Sequence, residues 1–262
     1  MSYFEKFSPL LADPTFNLSG HPLPQDLLLA SEGNLATFYA PFDYINTEAR
    51  ITICGITPGY QQAMNALNEA RKQLNAGASL EEAKRRAKET ASFSGPMRNN
   101  LIAMLDHIGL HQLVGINSCA RLFDTHQHLV HYTSALRYPV FVDGENYSGN
   151  PAMLSRSLLR QQIDTHLAEE VHALGKTCIY VPLGPKVAEV FQRLQNNGLL
   201  QPAQLLDGLP HPSGANAERI SYFLGTKSRE SLSIKTNPTV LDNAKTLLMG
   251  KINKLQVMVS AR

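Results

Sequence analysis

The stretch DGLPHPSGAN, residues 207–216, sets a histidine between two prolines and follows it with serine and glycine. Pro210 and Pro212 stiffen the backbone on both sides, so the direction of His211 is fixed. Ser213 and Gly214 leave main-chain amides to face a ligand. An imidazole held this way can donate to an oxygen on which charge develops during a reaction. Taken alone, the stretch fits a loop histidine bonded to its neighbours better. Asn117, in GINSCA, carries an amide that can pair with the edge of a base or with nearby backbone. Phe93 and Tyr60 offer apolar plates on which a base could stack, or ordinary packing surface.

These residues need elements to position them. RITICGI (50–56) is short, β-branched and bounded by glycine, as a buried strand is. LVGINSCA (113–120) and TCIYVPL (177–183) predict a second and a third strand, and AQLLDGLPH a short fourth. Helices are expected over QDLLLASEG, over LIAMLDHIG, across 152–173, from GPKVAEVF, and near 217–224 and 238–254. The charged stretch 61–90 predicts two helices broken near NAGAS, with Ser79 and Glu82 spaced as a capping box. Its cluster Lys84, Arg85, Arg86 and Lys88 suits a solvated helix face, or a face touching phosphates. Strands alternating with helices predict a single α/β domain, 1–262, with a parallel sheet covered on both faces. In such sheets working groups gather at the carboxyl ends of the strands. GITPG, NSCA and HPSGAN all fall at those ends.

Composition sets outer bounds. Hydrophobic residues make up 43% of the 262, enough for a sizeable core, and the net charge is only +2. Any work on nucleic acid therefore needs a local basic surface. No run approaches the ~20 apolar residues that span a bilayer. Glu5, Lys6 and Asp13 interrupt any signal-like region at the start, so cytoplasmic residence is expected. Cys54, Cys119 and Cys178 are far apart and are expected to be small buried hydrophobes, neither disulfides nor a metal knuckle. His126, His128 and His131 in THQHLVH could face a metal from a strand, but no fourth ligand is evident and a polar loop fits better.

GITPG (55–59) and HPSGAN (211–216) resemble the two signature motifs of the uracil-DNA glycosylase superfamily, which read G-x-(D/N)-P-(Y/G) and H/N-P-S-(P/G). Between them, SFSGPMRNNLIAMLDHIGL is similar to the Pro-Gly-Asn-Arg stretch and helix of mismatch-specific members. GINSCARLF looks like the strand carrying the base-reading Asn of single-strand-selective members. The likeness covers most of residues 50–224 in the family's order. It implies a three-layer α/β/α sandwich with a short, four-stranded, mainly parallel sheet. Residues 1–48 would then be an N-terminal extension, 61–90 a helical insertion and 121–151 a loop-rich insertion.

The resemblance also implies roles. His211 would stabilise the departing base, Asn117 would read it, and Thr57 stands where a water is oriented. Phe93, Ile56, Gly59 and Tyr60 would line the base. Pro58, Ser213, Gly214, Ala215 and Asn216 would contact DNA. A threonine is no general base near neutral pH, so Asp143 or Glu145 could activate water instead, or remain solvated loop acids. Gly59 replaces the tyrosine of uracil-strict members, and Ala215 the Leu or Arg wedge, which points to a bulkier, 5-substituted pyrimidine such as a modified cytosine of phage DNA. Antiviral defence is the context in which superfamily members attack glycosylated cytosine. The iron–sulfur members need four cysteines, more than the chain has. No lysine in these motifs suits a Schiff base, so a monofunctional hydrolase is expected, with DNA as partner and no cofactor, metal, membrane or obligate protein partner. The alternatives are a repair enzyme for uracil or other deaminated bases, a DNA- or nucleotide-binding module without hydrolysis, and a metal-dependent hydrolase built on the 126–131 histidines.

Overall fold

The computed structural model describes residues 2–95 and 97–260; Pro96, part of the SFSGPMRNN stretch, lies outside them. Helix α1 (Tyr3–Ala12) is followed by strands β1 (Leu28–Glu32) and β2 (Leu35–Phe38). Strand β3 (Ile51–Gly55) leads into α2 (Tyr60–Asn75), α3 (Leu80–Ala91), α4 (Met97–His107) and the single turn α5 (Leu110–Leu113). Next come β4 (Val130–Ser134), β5 (Val140–Val142) and β6 (Glu145–Asn146). Helices α6 (Ser157–Gln162) and α7 (Ala168–Leu174) flank a π-helical turn at Ile163–Leu167. Strand β7 (Ile179–Pro182) precedes α8 (Pro185–Asn196), α9 (Ala217–Phe223) and α10 (Pro238–Ser260).

The fold is mixed α/β, and the backbone groups into two compact units. Unit one comprises residues up to Ile45, Ile56–Ser94 and Tyr132–Ala173. Its sheet is antiparallel, in the order β1-β2-β5-β6. Asp143 and Gly144 join β5 to β6, both at positive φ (51° and 84°) as a two-residue hairpin turn requires. Its helices pack closely because α2 turns Ala63, Ala66 and Ala70 inward and α3 turns Ala83, Ala87 and Ala91, all fully buried. Methyl groups at this spacing form one smooth stripe per helix. Phe4, Phe7 and Leu11 of α1 share that core with Tyr39, Tyr138 and Phe141.

Unit two comprises Asn46–Gly55, Gly95–His131 and the chain from Leu174 onward. Its centre is β3, every residue of which is buried, paired in parallel with β7 from Ile51↔Ile179 to Cys54↔Pro182. The three-stranded sheet runs β4-β3-β7. Beyond β7 two isolated parallel bridges, Tyr180↔Leu205 and Leu183↔Leu209, bring the chain toward residue 211. Helix α8 opens with Pro185 in its first turn and buries Val187, Val190, Phe191 and Leu194.

Several expectations are corrected. The expected four-stranded, mainly parallel sheet is a three-stranded parallel sheet, with a separate four-stranded antiparallel one. QDLLLASEG forms a 3-10 turn, Gln25–Leu27, and β1, because Leu28 to Glu32 extend and pair with β2 in place of winding on. LVGINSCA is not a strand: Gly115 takes φ +73° after α5, and Asn117 lies on a bend. The place beside β3 belongs to β4, inside the stretch expected to be loop-rich. AQLLDGLPH makes bridges only. The helix expected from 152 begins at Ser157. The break at NAGAS, the Ser79 cap, β3, β7, α4 and α8 to α10 stand close to where their patterns place them.

Candidate functional site

The singled-out residues fall in both units. Ile56 to Tyr60, Phe93, Asp143 and Glu145 belong to unit one, and Asn117 and His211 to Asn216 belong to unit two.

In unit two, four ties hold the His211 loop. Lys251 of α10 grips Asp207 at 2.6 Å, and the Gly184 N–H donates to Leu209 C=O at 3.0 Å. Asn100 of α4 donates to Pro212 C=O at 3.0 Å, and Asn216 to the Ser213 hydroxyl at 3.1 Å. Gly184 has φ +87°, and a Cβ there would lie 3.2 Å from the Cβ of His211. A glycine thus lets the β7–α8 turn press against the histidine.

Within this loop the Ser213 N–H donates to His211 Nδ1 at 3.3 Å. Nδ1 is therefore the accepting nitrogen, and the proton of the neutral ring sits on Nε2. Burial pushes the imidazole below its ordinary 6.5, so the neutral form prevails at neutral pH. The result is an uncharged Nε2–H donor of fixed orientation. Ser213 is half-buried, while Gly214 and Ala215 are exposed at the start of a short 3-10 turn before α9. Asn117 is exposed between α5 and the 3-10 turn Cys119–Phe123.

In unit one the first motif is held by its own backbone. The Thr57 hydroxyl donates to Tyr138 C=O at 3.1 Å and accepts from the Val140 N–H at 3.2 Å. Its proton is spent on the chain, which makes Thr57 a tie between two segments. Ile56 C=O accepts from the Leu136 N–H at 3.0 Å, and Pro58 is buried. Gly59 precedes α2, and Tyr60, 37% exposed, donates its N–H to Asn146 Oδ1 at 2.7 Å. Phe93 is buried at φ 47°, with its ring edge-on to Tyr132 at 5.6 Å. Asp143 and Glu145 sit exposed in the hairpin, where Asp143 accepts from Asn34 at 2.8 Å.

The basic cluster of α3 turns inward to its own helix. Lys84, Arg85 and Arg86 pair with Glu81, Glu82 and Glu89, while Lys88 is buried and donates to Tyr44 C=O at 2.7 Å. The histidine run is not gathered: His131 is buried on β4 and accepts from the Asn46 N–H. His126 and His128 stack, with centroids 5.9 Å apart.

Two groupings escaped the sequence reading. In unit one, Asp43 accepts from the Tyr138 hydroxyl at 2.8 Å and the Tyr39 hydroxyl at 3.1 Å, and burial holds its carboxyl above the usual range. Beside it, Arg137 and Glu170 form a buried pair at 2.7 Å. In unit two, Asp106, His111 and Cys119 converge. Asp43 stands in PFDYIN and Arg137 in ALRYPV, neither a pattern with a signature. Cys119 was placed on a strand that does not form.

No family model matches the chain, and no solved structure matches it. It is similar to the Bacillus subtilis (strain 168) protein named "Uncharacterized protein YoxB", with 37% identity over 218 residues, 82% of this chain and 85% of that protein.

Proposed function

The chain belongs to the family of Bacillus subtilis YoxB, and we propose that it is a DNA N-glycosylase of the uracil-DNA glycosylase kind, with the three-layer sandwich of that superfamily. It flips a modified pyrimidine from DNA and hydrolyses its glycosidic bond, leaving an abasic site.

One observation carries this reading: His211 is a neutral imidazole whose Nδ1 is occupied by the Ser213 amide. Cleavage of the N-glycosidic bond leaves oxocarbenium character on the sugar and negative charge on the departing base. A fixed Nε2–H meets that charge at a carbonyl oxygen of the base without a cost of reorganisation. Exposed Asn117 is available to a base edge, and the Ser213 hydroxyl with the Gly214 and Ala215 amides to a phosphate. Modified cytosine is preferred over plain uracil as substrate because Gly59 replaces the tyrosine of uracil-strict members and Ala215 replaces their wedge residue.

Thr57 favours a second reading, a module that binds DNA without hydrolysis, because its proton is donated to Tyr138 C=O. One experiment separates the two. Duplexes and single strands carrying uracil, 5-substituted or glucosylated cytosine are incubated with the protein, and abasic sites are then cleaved with alkali. Strand breaks with one base, reduced about 10²–10³-fold in His211→Ala, are the expected result. Binding without breaks supports the module, and wild-type breaks in His211→Ala refute the role of the histidine.

A further inference from the structure

Three side chains unused in the reading above meet at the end of α4. Asp106 comes from α4, His111 from α5, and Cys119 opens the following 3-10 turn. Their ligand atoms all lie within 4.8 Å of one another. One ion at their centre is then a small adjustment away from zinc's bond lengths of about 2.0–2.3 Å.

The cluster is preset by backbone. Asp106 accepts from the Ser118 hydroxyl at 2.7 Å and from the Cys119 N–H at 2.6 Å, which ties the 118–119 turn to α4. His111 Nδ1 lies 3.4 Å from an Asp106 oxygen, yet it is buried and makes no hydrogen bond. A buried ring nitrogen left without a hydrogen bond is costly, and a cation between it and the carboxylate removes that cost. The trio is not a Cys–His–Asp nucleophile. Cys119 is wholly buried, and burial together with the neighbouring Asp106 carboxylate holds its thiol above the ordinary range.

We propose that Asp106, His111 and Cys119 bind a zinc-class divalent cation, with the fourth position open to solvent beside the half-buried Asp106 and His111. One sulfur, one nitrogen and one oxygen donor suit borderline-soft Zn²⁺; magnesium and calcium select oxygen donors. On binding, the Cys119 thiol gives its proton to solvent and the sulfur–metal bond takes the place of the S–H; the imidazole and the carboxylate bind through lone pairs. The site clamps α4, α5 and the turn that follows Asn117 directly. It stands independently of the glycosylase reading.

The test uses the full-length protein, stripped with chelator and titrated with Co²⁺ and then Zn²⁺. A cysteine-to-cobalt charge-transfer band should appear, saturate at one ion per chain and be displaced by zinc. His111→Ala and Cys119→Ser should each lose the band and weaken zinc binding by more than about a hundredfold, since outer-shell partners alone are worth about 10–100-fold. Cys178→Ser, which removes a buried thiol elsewhere, should keep it. No band in the wild type, or a band that survives His111→Ala, overturns the proposal. Should Cys119→Ser fail to fold, the wild type, His111→Ala and Cys178→Ser decide it.

Discussion

A histidine between two prolines is useful only if its ring is also held, and here the holding group is the next free amide. The Ser213 N–H sets the tautomer of His211, burial keeps the ring neutral, and Asn100 fixes the following carbonyl. On the proposed glycosylase reading Asn100 is thus a positioning residue, whose loss would leave His211 chemically intact but free to drift. Asn100→Ala is expected to lower kcat about tenfold or more with little change in KM, since small misplacements cost rate rather than binding. A KM effect alone would mean that the carboxamide of Asn100 touches the substrate. Thr57 is the opposite case, a residue in a motif position whose hydroxyl serves the backbone. Residue type alone did not distinguish the two, because both outcomes depend on which neighbours arrive.

Among the elements, the β7–α8 turn is the one on which the histidine loop leans. Gly184 combines φ +87° with a Cβ position 3.2 Å from His211. Gly184→Ala is therefore expected to cost about 1–2 kcal/mol from the left-handed backbone and to shift the loop. On the proposed glycosylase reading, loss of excision with a modest fall in melting temperature is the expected pattern; full activity would show that the loop does not depend on this contact. GPKVAEVF was legible as a helix start because proline in the first turn and the apolar spacing agree. LVGINSCA was not, because a short apolar run fits a strand or a helical turn alike. Gly115 at positive φ and the capture of Ser118 and Cys119 by Asp106 settle it as turns.

At the scale of the whole molecule, two features govern stability. Arg137 and Glu170 are 6% and 1% exposed. Burial opposes the charge of Arg137, but Glu170, Tyr138 and Glu169 together more than compensate and hold the guanidinium charged. Glu170→Ala takes the buried carboxylate from Arg137 and from Lys88, 3.9 Å away, leaves the guanidinium with the exposed Glu169 at 3.1 Å, and is expected to cost about 3 kcal/mol in urea denaturation. A change within 0.5 kcal/mol would show the pair relaxing into water. The second feature is acid sensitivity. Burial lowers the folded pKa of His211 and of His166, the latter also pressed down by Arg137, from the ordinary 6.5. The unfolded chain then binds more protons, so their contribution is full above 6.5 and declines as pH falls from there toward the folded values. Melting temperature should drop across that interval, and His166→Gln should flatten the drop.

Local pattern determined much of this protein. The buried strand at 51–55, the paired helices over 60–91, the stiff loop at 211 and the terminal helices follow from periodicity, caps and prolines, which act within a few residues. Tertiary structure alone decided the rest. The antiparallel sheet pairs β2 with β5 across about a hundred residues of chain, and the Asp106–His111–Cys119 cluster needs two turns to fold back on α4. Such partners are chosen by packing and hydrogen bonding in three dimensions, and no spacing along the chain encodes that choice.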